Sequence, residues 1–268
     1  MSNPSVVIVT GVSSGIGRVA AEKFAQRGCK VFGTVRSIAK AQAIPGVELV
    51  EMDVRDDASV QKCVQSVIDQ SKQIDVLVNN AGILLSGSVE ETSITEAASL
   101  FDTNVLGILR VTKAVLPHMR AQRSGRIVNV SSVLGFLPAP YAGIYAASKH
   151  AVEGLSESLD HEVRQFGIRV VLVEPGFTKT NLDANSPQAA SLISVYEKER
   201  ISVSQAIHKK LSNAPEPEGV ADTIVDAAFG PWRMRRPPEG QASLLSKLRR
   251  FLPAGVVDST LRKDFGLG

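Results

Sequence analysis

The chain is poor in sulfur and in aromatic side chains: 268 residues include two cysteines, one tryptophan and 5% aromatics. Cys29 and Cys63 show no metal-ligand spacing, so no thiolate metal site is expected. Thiols this sparse do not make a disulfide scaffold and fit a reducing compartment. No uninterrupted apolar run approaches the roughly 18 residues that a membrane-spanning helix needs. Nor does one sign of charge dominate, since 30 Lys and Arg oppose 27 Asp and Glu for a formal net charge of +3. That balance argues against a nucleic-acid-binding surface. Met1-Ser2-Asn3-Pro4 leads directly into a strand-like stretch without a charged leader and apolar signal segment, and a cytoplasmic protein is expected.

Apolar residues make up 44% of the chain, enough for one substantial core. They recur as short Val- and Ile-rich runs, at Val6–Val9, Lys30–Val35, Val47–Met52, Val76–Val78, Arg126–Val130 and Arg169–Val173. Continuous rather than alternating apolar runs suit strands buried on both faces. Between them lie helical stretches with spaced apolar residues, at Val19–Arg27, Ser59–Ser71, Ala97–Arg120 and Tyr145–Phe166. Alternating strands and helices predict a single α/β domain with a doubly wound parallel sheet, because each parallel pair needs a crossover helix. The domain is expected over residues 1–230. A C-terminal helical extension, 231–268, is expected to pack on it or on a neighbouring subunit. The polar, helix-like region Asp183–Ser212 is expected above the carboxyl ends of the strands.

The first strand runs into Thr10-Gly11-Val12-Ser13-Ser14-Gly15-Ile16-Gly17, and a helix follows. Backbone N–H groups can approach a pyrophosphate closely only where side chains are absent, and a helix N-terminus adds partial positive charge. The glycines alone would equally serve a loop needing positive φ. After the second strand, a dinucleotide fold places a residue beside the adenosine ribose. An acid there binds the free 2′-hydroxyl of NAD(H); Arg36 offers a fork of donors to the 2′-phosphate of NADP(H), which is the cofactor expected. Asp53, before Val54 at the end of the third strand, could accept a bond from an adenine amino group or simply cap its loop.

Tyr145 and Lys149 stand four residues apart on one helix face. A phenol of pKa about 10 is a poor acid or base near neutrality, but an adjacent ammonium favours its ionised form. The pair alone is a weak signal, because exposed helices produce it by chance. Taken in order, however, Thr10–Gly17, Asn79-Asn80-Ala81-Gly82, Asn104, Ser131-Ser132, Tyr145-Ala146-Ala147-Ser148-Lys149 and Pro175-Gly176-Phe177-Thr178 resemble the single-domain branch of the short-chain dehydrogenase/reductase family. Thr34-Val35-Arg36 and Val173-Glu174-Pro175-Gly176-Phe177 further resemble its 17β-hydroxysteroid and retinol dehydrogenase-like group.

The resemblance implies a Rossmann-like sheet of six or seven parallel strands and a nicotinamide cofactor. It assigns cofactor contacts to Gly11, Ser13, Ser14, Gly15, Ile16, Gly17, Arg36, Asp53, Val54, Asn80, Ala81 and Gly82, and to Pro175, Gly176, Phe177 and Thr178 around the nicotinamide. Tyr145 takes the acid/base role. Lys149 lowers the phenol's pKa and holds the ribose, Ser132 orients the carbonyl oxygen, and Asn104 holds a water linking Lys149 to solvent. Ser132 rather than Ser131 has the family's thirteen-residue spacing to Tyr145. Negative charge built on the substrate oxygen by hydride addition would meet the Ser132 and Tyr145 hydroxyls.

Leu134, Phe136, Leu137, Tyr141, Phe177 and Leu182 are candidate pocket residues, so a lipophilic ketone, aldehyde or secondary alcohol is expected, although such a cluster is equally ordinary core. Two rival functions remain. One is a non-catalytic NADP-sensing regulator, and such proteins usually lose the tyrosine or lysine; the other is an epimerase or dehydratase, whose branch is longer. The resemblance also implies a homodimer or homotetramer associating through Ala97–Arg120 and Tyr145–Phe166. In the tail, Pro237 and Pro238 cannot donate to a strand ladder, which leaves the last strand and the substrate loop open. Leu244, Leu245, Leu248, Phe251 and Leu252, beside Lys247, Arg249 and Arg250, form an amphipathic face that packs on protein or, on a sharper reading, contacts anionic membranes peripherally.

Overall fold

A computed structural model describes residues 4–180, 188–251 and 253–267. Seven parallel strands form one sheet in the order β3-β2-β1-β4-β5-β6-β7. They are β1 (Val6–Thr10), β2 (Lys30–Val35), β3 (Val47–Glu51), β4 (Val76–Asn79), β5 (Gly125–Val130), β6 (Ile168–Val173) and β7 (Arg235–Arg236). All five residues of β1 and all four of β4 are buried, as the continuous apolar runs predict for central strands. Successive residues serve opposite faces. Val7, Val9, Val128 and Val171 join α1 (Gly15–Gln26) and the helix Glu218–Phe229 in one core. Ile8, Leu77, Ile127 and Val170 join α2 (Asp57–Ser71) and α4 (Gly107–Gln122) in the other.

The helices lie where their periodicity puts them, with informative departures. Helix α1 buries Gly17, Ala20, Ala21 and Phe24, an i, i+3, i+4, i+7 stripe, and begins four residues before Val19, at the glycine loop itself. The expected helix Ala97–Arg120 is two helices. α3 (Ile94–Phe101) and α4 are joined by a π-type turn at Asp102–Leu106, where buried Asn104 bonds to the Ile83 backbone. Such local widening is common at functional sites. The catalytic-face helix α5 spans Gly143–Val163. α6 (Glu197–Ser212) occupies the polar region, and α7 is Glu218–Phe229.

The tail returns to the sheet before the prolines. β7 pairs Arg235 with Leu172 and Arg236 with Val173, and stops at Pro237, whose nitrogen has no proton to continue the ladder. Trp232 anchors the approach: its Nε1 donates to the Val170 carbonyl at 2.9 Å, and the Arg169 guanidinium stacks 3.5 Å from its ring centroid. Two helices follow, α8 (Gln241–Phe251) and α9 (Ala254–Asp264), which give a helical extension with Ala242 and Phe265 buried. Leu252 and Leu182 lie outside the described residues. Among the described residues no helix is long and apolar enough to cross a membrane.

Candidate active site

Strand order reverses between β1 and β4, and a crevice opens at such a point at the carboxyl ends of the strands. Thr10 and Asn80 shape it. The Thr10 hydroxyl accepts from the Asn80 and Ala81 backbone N–H groups at 2.9 Å each, and Asn80 Nδ2 donates to the Thr10 and Gly11 carbonyls at 2.9 and 3.1 Å. Gly11 adopts φ of 70°, and a Cβ there would stand 2.9 Å from Ala81 Cα. At Gly17 a Cβ would stand 2.3 Å from Asn80 Nδ2 and 2.4 Å from the Gly11 carbonyl oxygen. Glycine is required at both places because backbone and amide fill the space. The side chain of Ser14, at the N-cap of α1, makes no capping bond. A helix N-terminus reached through a glycine loop and left uncapped by its own side chains fits a dinucleotide pyrophosphate.

Arg36 stands exposed immediately after β2, and its charge acts on Asp53. The Asp53 carboxylate has a cation beside it. Arg55 Nε and NH2 donate to it at 3.0 and 2.6 Å, and these bonds hold its pKa down at about 2. Its backbone N–H donates to Ser59 Oγ at 3.0 Å, so Asp53 does build its loop. Val54 packs against Gly107 at the start of α4, where a Cβ would come within 2.8 Å.

The three proposed catalytic side chains lie on the turn after β5 and on α5, which packs against that turn. Ser131 N–H donates to the Val173 carbonyl at 2.8 Å and Val133 N–H to that of Pro175 at 2.9 Å, which sets the serine turn beside Pro175-Gly176-Phe177-Thr178. Ser132 Oγ accepts from Leu134 N–H at 3.1 Å, while Ser131 turns the other way, toward Glu153. Tyr145, Lys149 and Ser132 are 7, 7 and 9% exposed. Lys149 Nζ donates to the Val130 carbonyl at 2.9 Å and lies 5.6 Å from the Tyr145 ring centroid. Burial lowers its pKa to about 8, against the opposing charge of Glu153.

Asn104 joins the same cluster. Its amide donates to the Ile83 carbonyl at 2.9 Å and to Ser148 Oγ at 3.3 Å, and accepts from Ile83 N–H at 2.9 Å. Leu85 and Leu100 pack with Tyr145, with Ile83, Leu84, Phe101, Leu134 and Ile144 around them. Of the expected pocket residues, Leu134 is therefore at the tyrosine, whereas the Tyr141 hydroxyl reaches Glu199 of α6 at 3.4 Å. Residues 188–200 are tied to the segment after β4: Glu91 accepts from Ile193 N–H at 2.9 Å and from Arg200, and Tyr196 donates to Glu90 at 2.6 Å.

Asn129, Ser156 and Glu91 are not singled out in the sequence. Asn79 Nδ2 donates to Asn129 Oδ1 at 2.8 Å and Asn129 Nδ2 to Ser156 Oγ at 2.8 Å, a buried polar bridge from β4 through β5 to α5. Two polar residues at equivalent positions of apolar runs, paired in register, are the trace it leaves. Glu91 and Glu174 are also buried.

A family model for short chain dehydrogenases matches residues 5–191, well over half of the chain. The chain belongs to the short-chain dehydrogenase/reductase family. Among curated relatives of this dehydrogenase, a 3-ketodihydrosphingosine reductase of Bacteroides thetaiotaomicron is 34% identical over 97% of both chains. Human retinol dehydrogenase 8 is 38% identical over 67% of this chain and 61% of its own length. Mouse 17-beta-hydroxysteroid dehydrogenase type 1 is 33% identical over 85% and 72%. A Streptomyces avermitilis short-chain dehydrogenase superposes with a TM-score of 0.81 at 32% identity, covering 98% of this chain and 95% of that one. A Burkholderia phymatum family member in complex with NAD has a TM-score of 0.78 at 27% identity, covering 92% of each chain. ElxO with NADP bound has 0.75 at 29%, covering 88% of this chain and 97% of ElxO. The dehydrogenase is thus an oxidoreductase of CH–OH and C=O groups with a nicotinamide cofactor.

Proposed function

We propose that this dehydrogenase uses NADP(H) to interconvert a lipophilic carbonyl compound and its secondary alcohol, with Tyr145, Lys149, Ser132 and Asn104 as its catalytic set. The buried Lys149, beside the Tyr145 ring and bonded to the Val130 carbonyl two residues before buried Ser132, carries the reading. A sensor that only bound the dinucleotide would not need a buried lysine held against a phenol. Gly11, Ser13, Ser14, Gly15, Ile16 and Gly17 would hold the pyrophosphate, Arg36 the 2′-phosphate, and Asn80, Ala81 and Pro175–Thr178 the nicotinamide half. Arg36 standing exposed after β2, where an NAD-selective site has a carboxylate, supports NADP(H).

When bound, the nicotinamide supplies or accepts the hydride. In reduction, the Tyr145 hydroxyl gives its proton to the substrate oxygen and the Ser132 hydroxyl donates a hydrogen bond to it. Lys149 holds positive charge beside the phenol. Both N–H donors of the Asn104 amide are engaged by Ile83 and Ser148, so a relay water would bond to its remaining acceptor capacity. The apolar cluster of Leu85, Leu100, Leu134 and Ile144 around Tyr145 supports a lipophilic substrate, and the relatives' names suggest long-chain 3-ketones, retinoids and steroids as the first to try.

Consumption of NADPH and NADH should be followed by absorbance with these ketones beside a polar sugar series. Preference for NADPH and a lipophilic ketone is expected. Arg36→Asp should then shift the NADPH/NADH ratio of kcat/KM toward NADH by more than about threefold, roughly 0.6 kcal/mol. A smaller shift would make Arg36 a surface residue only.

A further inference from the structure

Beneath the catalytic face of α5 lies a buried acid cluster that hydride transfer does not use. Glu153 follows Lys149 by four residues, one helical turn along the same face, and Glu174 follows β6 directly before Pro175. Both are buried, Glu174 completely. Arg235 of β7 serves them together: its Nε donates to Glu153 Oε2 at 3.1 Å and lies 3.2 Å from Glu174 Oε1, while NH1 stands 2.5 Å from Glu157 Oε1. Neither Glu174 oxygen has an aligned donor among the described residues.

Two buried carboxyls beside one cation do not both ionise readily. Burial raises the Glu153 pKa above the ordinary carboxylate value, but the Arg235 guanidinium aligned on Glu153 opposes that rise and favours the charge there over Glu174. Glu174 stays the acid, its pKa pushed up to about 8 by burial and by Glu153. Above the cluster, the Lys149 ammonium has one neutral acceptor, the Val130 carbonyl, and no carboxylate within ion-pair distance among the described residues. Its surroundings are Tyr145 and Glu153 on its own helix and the β5 end. Glu153 in turn faces Ser131 after β5, Glu174 after β6, Arg235 of β7, and Glu157 on α5.

We propose that Glu153 is a positioning residue of the hydride-transfer site: from one helical turn below, it supplies the counter-charge for the buried Lys149 ammonium, while Arg235 and the uncharged acid of Glu174 keep that single charge in place. The inference rests on Lys149 being the catalytic lysine. Without the Glu153 charge, Lys149 gives up its proton at lower pH and Tyr145 loses the neighbouring cation. The alkaline limb of carbonyl reduction then falls at lower pH.

Glu153→Gln, Glu153→Asp and Glu174→Gln test this through two readouts. One is the pH profile of kcat/KM for reduction. The other is the Lys149 titration by 13C NMR in cofactor-free, lysine-labelled protein, its resonance assigned through Lys149→Met. Glu153→Gln should move the titration and the alkaline limb down by at least about half a pH unit. Glu153→Asp should restore both, and Glu174→Gln, which resembles the acid form, should leave both in place. If the glutamine variant does not fold, Glu153→Met removes the same charge without a polar group to satisfy. A neutral residue 153 that leaves the Lys149 titration where the wild type has it overturns the proposal, as does an aspartate variant shifted as far as the glutamine one. The NMR readout needs no substrate, so failure to turn over any ketone would count against the proposed reaction and not against this charge coupling.

Discussion

Replacing Lys149 with methionine removes an amine that the chemistry needs and, at the same time, a cation that the fold tolerates badly. Burial takes the Lys149 pKa from its ordinary 10.5 to about 8, with Glu153 opposing. At about 1.4 kcal/mol per pH unit, a gap of that size links protonation to folding by on the order of 3 kcal/mol. Below about pH 8 the folded and unfolded chains both carry the proton, and the penalty is present in full. Between 8 and 10.5 the folded chain has released the proton while the unfolded chain keeps it, so wild-type stability rises with pH across that window. Methionine is about as long and carries no charge, but it leaves the Val130 carbonyl without its donor, a loss of about 1 kcal/mol. The cofactor-free variant should therefore be more stable than wild type by roughly 2 kcal/mol at pH 7, and its Tm higher by roughly 4–8 °C in a chain this size. Denaturant unfolding of both proteins at pH 7, 8, 9 and 10 measures the gap, which should shrink above pH 8. A variant no more stable than wild type at pH 7, or a gap that is constant across the series, refutes the reasoning.

Tyr145→Phe should cut turnover below a tenth of wild type with NADP(H) affinity nearly unchanged; titration of cofactor fluorescence alongside kinetics separates the two effects, and higher residual activity would remove Tyr145 from the acid/base role. Gly17→Ala should weaken cofactor binding at least tenfold, about 1.4 kcal/mol, because its Cβ meets Asn80 and the Gly11 carbonyl; calorimetric affinity within threefold of wild type would contradict the cradle. Asp160 is fully buried and accepts from Arg164, Arg169 and Val170 N–H, so Asp160→Asn should cost about 2–4 kcal/mol, read from the urea midpoint. Leu106 and Leu109 are exposed on the π-type turn and α4, and Gly154 leaves open space on α5. A homodimer or tetramer through these helices is expected, and light scattering that gives only a 28.6 kDa species would reject it.

The glycine loop, the Tyr145–Lys149 helix and the doubly wound sheet were legible because each leaves a local pattern: glycine where backbone must approach, a four-residue spacing, continuous Val and Ile. The strand edges also followed, to within a residue or two. The break at Asn104 was not legible, since the helix Ala97–Arg120 has an unbroken apolar period and the widening comes from a tertiary bond to Ile83. Asp53 read as an adenine contact or a cap, and its ion pair with Arg55 had no signal in the sequence. Charge number along the chain says nothing of which acids are buried. Glu153, Glu157 and Glu174 share a cation only because β7 brings Arg235 back from far along the chain.

That return has a consequence for synthesis. During translation the core is completed only when α7 has emerged after β6, and until residue 235 clears the ribosome Glu153 and Glu174 lack the arginine that β7 lays beside them. The growing chain therefore passes through a stage at which its acid cluster lacks its cation. Any shortening or fusion that keeps the tail from laying Arg235 against β6 would leave the protein in that state for good, with its cofactor cradle intact and its acid cluster unbalanced.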